Sequence, residues 1–385
     1  MIARTLTVEL LAQLREYPIV TLLGPRQAGK TTLVRAALPD YDYVTLEDPD
    51  TRLIALEDPR ALLQRHPGNT IFDEIQRAPQ LLSYLQGIVD ADPRNGRYVL
   101  TGSHQLELRA AISQSLAGRT GVLHLLPLSI DELDAAGIRF DRFEDYIQRG
   151  FLPRIHDQNQ RPYTAYANYY QTYVERDVRQ LINLKDASLF EKFVKLLAGR
   201  IGQILNLQSL ASDVGVDGKT IKNWLSILEA SFIVFELPPY FENFGKRVIK
   251  SPKYYFSDTG LLAYLLDIEE ATQVTRDPLM GQMFENLVVL EALKARFNRG
   301  KALNLYFFRD SHGNEIDLLY KSGHELVGVE IKAAATWNSS FKKGLQRFAV
   351  QLQPLARQYV IYSGKPIEFS DGVQVLHFTK VTEVF

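Results

Sequence analysis

Residues 22–34, LLGPRQAGKTTLV, join an apolar run to a helix-forming one across a bend that holds two glycines, a lysine and two threonines. Gly24, Gly29, Lys30 and Thr31 fit the template G-x-x-x-x-G-K-[ST] in full. Glycines let backbone N–H groups turn inward around an anion, and the helix that follows presents the positive end of its dipole. The lysine neutralises outer phosphates, and the threonine hydroxyl reaches Mg²⁺. PIVTLL reads as a strand and TTLVRAAL as a helix, which is the context this loop requires. Gly24, Gln27, Ala28, Gly29, Lys30, Thr31 and Thr32 are therefore the expected nucleotide-binding residues, with ATP and Mg²⁺ as ligands.

The first third continues with YDYVTLED, NTIFDE, RYVLTGS and GVLHLLPLS, short β-rich runs separated by helical stretches. That alternation implies βαβ units and a parallel sheet. NTIFDE ends in adjacent carboxylates: Asp73 suits Mg²⁺, and Glu74 suits polarisation of an attacking water. The next strand ends in Thr101 and Ser103, small polar groups placed to sense a terminal phosphate. Arg119, in SLAGRTG, is a candidate for stabilising transition-state charge, on its own subunit or a neighbour's, and Arg176 and Arg179 compete for that role.

Together GPRQAGKTT, IFDEIQ, LTGSH, LAGRTG and YVERDVRQL resemble the prokaryotic AAA-type ATPases that carry a C-terminal domain of uncharacterised function. The resemblance spans essentially the whole chain. It implies an additional-strand ATPase core with a helical lid, often acting as a homo-oligomer, and names no substrate. Where related proteins often hold Asn at the sensor position, this chain has Ser103 and His104.

With 385 residues, two or three domains are expected. Lys and Arg number 44 against 45 Asp and Glu, which argues against a uniformly basic coat while leaving room for a local basic groove. The absence of cysteine excludes disulfides, thiolate metal sites and thiol nucleophiles, so packing must carry stability. The charged start MIARTLTVELLAQLREYPIV shows no signal-peptide pattern, and no run approaches the ~20 apolar residues of a membrane span. A cytoplasmic protein is expected.

Residues 131–200 are expected to be helical, with tyrosines at 163, 166, 169, 170 and 173 at a spacing that favours packing over base stacking. From LNLQSLASDVGVDGKTIKNWLSILEASFIVFELPPY the pattern is helix, Gly-containing turn, helix and extended run, that of a helix-turn-helix with a β-wing. Lys219, Lys222 and Asn223 fall where a second helix meets a duplex, and Lys246, Arg247, Lys250 and Lys253 supply wing and backbone contacts. Such units also serve as protein–protein modules.

Near the end, EIDLLYKS and HELVGVEIKA place Asp317 on one strand and Glu330 and Lys332 on one face of the next. Two carboxylates and a lysine so placed can hold Mg²⁺ or Mn²⁺ and activate water, and Glu285 on the preceding helix could add a ligand. In order, Glu285, Asp317, Glu330 and Lys332 resemble the PD-(D/E)xK nuclease pattern, which implies catalytic roles for Asp317, Glu330 and Lys332 and metal ligation by Glu285, Asp317 and Glu330. A non-catalytic DNA-binding relic and a salt-bridged strand pair remain as alternatives.

The expected class is α/β: a P-loop AAA-type core over 1–130, a helical lid over 131–200, a winged-helix-like domain over 201–268 and a restriction-endonuclease-like α/β domain over 269–385. Lys30, Thr31, Asp73 and Glu74 would run ATP hydrolysis. Three readings follow: ATP-licensed DNA cleavage, a DNA-binding ATPase whose nuclease-like domain only grips, and an ATP-switched scaffold for a protein partner.

Overall fold

Parallel strands covered on both faces must be apolar along their length, and the first third of the chain supplies such strands. β1 (Ile19–Leu23), β3 (Thr70–Asp73) and β4 (Tyr98–Gly102) are buried throughout, and β2 (Asp42–Thr45) and β5 (Thr120–His124) flank them. The sheet is parallel, in the order β2-β3-β4-β1-β5. β4 thus lies between β1 and β3, the additional-strand arrangement that the resemblance implied. Leu10 and Leu14 of the helix Thr7–Glu16, with Leu33 and Val34 of the helix Lys30–Ala37, pack on Val20, Leu22, Ile71, Val99 and Leu123. Each such side chain contributes ~1.5–3 kcal/mol by leaving water.

This computed structural model describes residues 1–103, 112, 114–178, 187–240 and 250–385. They divide into two units, Met1–Leu128 with Ala230–Phe232 and Phe297–Lys301, and Ser129–Glu229 with Ile233–Arg296 and Ala302–Phe385. His104, Arg179, Lys246 and Arg247 lie outside the described residues, as does the side chain of Arg176. Among the described residues no helix is long and apolar enough to cross a membrane.

The second unit opens with short helices, Ile130–Ala135, Phe143–Arg149, Pro153–Asp157 and Pro162–Tyr169; the last widens into a π-helix over Tyr170–Val178 rather than continuing as α. Tyr166, Tyr169, Tyr170 and Tyr173 are buried, as their spacing implied. The helix Leu207–Val214 is capped by Asn206 and stopped by Gly215 at φ 96°, and after the short turn the helix Gly218–Ala230 begins beneath Asp217, which accepts from Thr220 N–H. β6 (Val234–Leu237) then pairs antiparallel with β7 (Lys253–Phe256).

A six-stranded mixed sheet completes this unit, with β8 (Leu305–Arg309), β9 (Glu315–Ser322), β10 (Glu325–Lys332), β11 (Arg357–Tyr362), β12 (Ile367–Glu368) and β13 (Val373–His377) in the order β12-β13-β11-β10-β9-β8. LNLYFFRD, EIDLLYKS, HELVGVEIKA and ARQYVIYSG read as strands in the sequence, and β12 and β13 extend the sheet beyond those four. Phe308, Ile316, Leu319, Val360, Val373 and Val375 form its core with Leu345 and Phe348 of the helix Lys343–Gln351.

Glu229, half-buried at the end of its helix, illustrates how the fold shifts a charge. Burial, with the Glu236 carboxylate nearby, pushes its carboxyl up to about 7. The folded chain therefore retains a proton that the unfolded chain releases. The stability this contributes is full below the ordinary glutamate range and is lost as pH rises through about 7. Glu229→Gln is expected to flatten the stability profile between pH ~4.5 and ~7, measured by urea unfolding at stepped pH; a profile identical to wild type would refute the coupling.

Candidate functional site

Because the first sheet is parallel, β1, β2, β3 and β4 end at one edge, the edge where ligands of such sheets bind. The glycine-rich bend leaves β1 there. A Cβ on Gly24 would stand 2.0 Å from the Leu125 carbonyl oxygen, so no larger residue fits, and Gly29 adopts φ 92° as it starts the helix Lys30–Ala37. Gln27, exposed at the loop apex, also takes a positive φ, 62°, a strain characteristic of functional loops. Ala28 is buried and Thr32 exposed in the first turn. Arg4 braces the loop, donating to the Ala28 carbonyl at 2.6 Å and the Leu126 carbonyl at 2.7 Å.

Lys30 is only 5% exposed, and its ammonium donates to the Gly24 and Pro25 carbonyls, each at 2.9 Å. Burial draws the ammonium below the usual lysine range, against the attraction of Glu74 and Asp73. A buried cation whose hydrogen bonds go to neutral carbonyls is a receptor for an anion.

Thr31 Oγ1 lies 3.0 and 3.1 Å from the Asp73 carboxylate oxygens. Asp73 also accepts from Tyr43 OH at 2.7 Å and from Thr101 Oγ1. A hydroxyl beside a carboxylate is a hard-oxygen donor pair suited to Mg²⁺, which takes few protein ligands and relies on phosphate and water for the rest. Glu74, at φ 59°, has its N–H held by Thr101 Oγ1 at 3.1 Å, while its carboxylate accepts from Ser103 Oγ at 2.9 Å and from Gln76. Burial opposes its charge, but Lys30 and the bonds from Gln76 and Ser103 hold the carboxyl below the usual range. Glu74 is thus kept ionised in a buried place. Ser103, expected at a terminal phosphate, donates to Glu74 in this structure.

Arg119 immediately precedes β5, whose first residue, Thr120, pairs with Ile19 at the start of β1. The loop leaves the opposite end of β1, a strand length away, roughly 15 Å. Arg119 thus stands away from the loop of its own chain. Its guanidinium forms a two-pronged pair with Asp90 at 2.5 and 2.9 Å. Arg26, within the loop, is the arginine whose charge bears on both Lys30 and Glu74. Sequence reading missed Arg4, Arg26, Tyr43 and Gln76. Only Arg26 carried a signal, its place inside the loop template.

In the second unit, Lys219, Lys222, Asn223 and Ser226 are exposed at helical spacing on one face of Gly218–Ala230, while Ile221, Trp224, Leu225 and Leu228 are buried. Lys250 is exposed, but Lys253, expected among the wing contacts, is buried. The β9–β10 hairpin brings Asp317 beside Glu330 and Lys332, as the register implied. Lys332 Nζ lies 3.0 Å from Asp317 Oδ2 and 2.7 Å from Glu330 Oε2, and the Ile331 N–H donates to Asp317 at 2.7 Å. Burial opposes the charge on Asp317, but Lys332 and Lys253 hold its carboxyl low, whereas burial and the Asp317 charge push Glu330 up to about 9. Glu285, raised by burial, bonds to Lys253 at 2.9 Å and Tyr255 OH at 2.5 Å. The expected ligand set Glu285, Asp317 and Glu330 is not assembled: among the described residues no three His, Asp or Glu side chains group so as to hold a metal ion.

Comparison with known proteins places an AAA domain over residues 16–134, the domain of unknown function DUF8612 over 140–272 and the domain of unknown function DUF4143 over 280–381. Two mycobacterial relatives, "Uncharacterized protein Rv2008c" of Mycobacterium tuberculosis and "Uncharacterized protein Mb2031c" of Mycobacterium bovis, are each 32% identical over 356 residues, 91% of this chain and 78% of theirs. Among solved structures, the Walker-type ATPase PABY2304 of Pyrococcus abyssi is 15% identical and matches 68% of this chain and 94% of its own, with a TM-score of 0.46.

Proposed function

We propose that this chain, which belongs to the family of the mycobacterial proteins Rv2008c and Mb2031c and carries an AAA-class ATPase domain, hydrolyses ATP with Mg²⁺ and uses the cycle to govern a DNA-gripping second half. The observation that carries the ATPase assignment is Lys30, a buried ammonium bonded to the carbonyls of its own loop. Lys30 and the loop amides would hold the phosphates, and Thr31 and Asp73 the metal, which when bound supplies charge neutralisation on the phosphates. The bonds from Tyr43 and Thr101 that hold the Asp73 carboxylate support this role.

Glu74 would accept a hydrogen bond from the attacking water and orient it. Its lowered carboxyl supports this role, because a base must be ionised to act. In the form described here Gln76 and Ser103 occupy that carboxylate, so one of these bonds must be exchanged for the water. Arg119 remains a candidate only for a neighbouring subunit's nucleotide, in a homo-oligomer.

DNA contact rests on the exposed Lys219, Lys222 and Asn223 row, set on the second of two helices and followed by a two-stranded antiparallel sheet, the element order of a winged helix. Two exposed lysines on one face would suit contacts to phosphates. A grip without cleavage is favoured over nuclease action because Lys253, which is no part of the nuclease-like pattern, engages Glu285.

Glu74→Gln is expected to bind ATP with near wild-type affinity and turn it over about 10²–10³-fold more slowly, measured by phosphate release beside nucleotide binding; undiminished turnover would remove Glu74 from the reaction. Lys219→Glu with Lys222→Glu is expected to weaken duplex binding at least about tenfold in 100 mM salt and to lower the salt slope by roughly 2. Binding unaffected by the double reversal, or ATPase indifferent to any DNA, would favour a protein partner instead.

A further inference from the structure

The nuclease-like pattern implies a divalent cation among Glu285, Asp317 and Glu330, and the residues present do not fit one. In β7 alternate side chains share a face, so Lys253 and Tyr255 both reach Glu285 Oε1, at 2.9 and 2.5 Å. The same ammonium stands 2.7 Å from Glu315 Oε1. With 2% of the residue exposed, Lys253 is fixed in place rather than exchanging with solvent. Lys332 takes the other half of the cluster, bridging Asp317 and Glu330, and Arg309 reaches Glu315 at 3.2 Å.

Four carboxylates therefore face three cations supplied by the chain itself. A divalent ion needs those oxygens at ~2.0–2.6 Å, and it would have to enter beside two ammonium groups already in contact with them. Both ammonium groups would repel the ion at that range and compete with it for the same oxygens.

We propose that Lys253 is the resident cation of this cluster: delivered by the strand after the helix-turn-helix, it ties β7 to the helix Met280–Phe297 and to β9 in the place a nuclease gives to its metal. The cluster is a metal-free joint between β7, the helix Met280–Phe297 and the C-terminal sheet. Phosphodiester cleavage does not occur there. The joint is independent of the DNA-binding reading, since it concerns the side chains around Lys253 and Lys332 rather than the exposed lysine row.

The test is a Mn²⁺ titration of the whole nucleotide-free chain, followed by electron paramagnetic resonance of the free ion, for wild type, Asp317→Asn, Lys253→Met and the double variant. Wild type and Asp317→Asn are expected to take up equal Mn²⁺, whereas Lys253→Met gains about one further ion per chain that adding Asp317→Asn removes. Wild-type uptake that Asp317→Asn abolishes would overturn the proposal, as would Mn²⁺-dependent nicking of supercoiled plasmid lost in that variant. So would a Lys253→Met chain with native circular dichroism that gains no ion. If Lys253→Met does not fold, the comparison of wild type with Asp317→Asn decides the matter alone.

Discussion

One buried charge organises the first unit. The Lys30 ammonium sits in a loop that only glycine at position 24 can follow past the Leu125 carbonyl, and it bonds to the carbonyls of that loop. Taking a lysine out of water with its hydrogen bonds on carbonyls, and with Glu74 and Asp73 only attracting it nearby, is costly. The fold tolerates the cost because β1, β3 and β4 and the helices beside them bury a continuous apolar core. A polyphosphate would offset it, which couples the loop's stability to its ligand.

The acids at the same edge show how a short polar network fixes geometry. Thr101, on the inserted strand β4, donates to Asp73 and accepts from the Glu74 amide, so one hydroxyl sets the spacing of two adjacent carboxylates. Tyr43 reaches Asp73 from β2. The parallel register carries all three strands to the same edge without long loops. The second unit uses paired charges differently: Lys253 and Lys332 neutralise buried carboxylates, and no anion-receptive cation is left over in that cluster.

The loop, the acid pair and the β-rich runs were legible because each is a local pattern: a fixed spacing of glycines, a strand ending in two carboxylates, apolar runs between turn residues. Asp317, Glu330 and Lys332 were brought together as period-two alternation implied. What failed depended on partners distant in sequence. Lys253 reads as one more basic residue in a basic stretch, and only Glu285 and Glu315, 32 and 62 positions later, turn it into a buried clamp. Arg119 reads as a free arginine after a glycine; the strand register puts it at the end of the sheet away from the loop of its own chain, beside Asp90. β12 and β13 were missed because one is two residues long and the other has few flanking signals.

The account stands or falls on the ligand-seeking state of Lys30. The most direct measurement is thermal unfolding of wild type and Lys30→Met, each alone, with adenosine and with Mg-ATP. The account predicts that unliganded Lys30→Met unfolds close to wild type, because relief of the buried ammonium is set against the loss of its attraction for Glu74 and Asp73. It also predicts that Mg-ATP raises the wild-type midpoint and leaves the variant's in place, while adenosine moves neither. A wild-type midpoint unmoved by saturating Mg-ATP, or a variant stabilised as much as wild type, would contradict it.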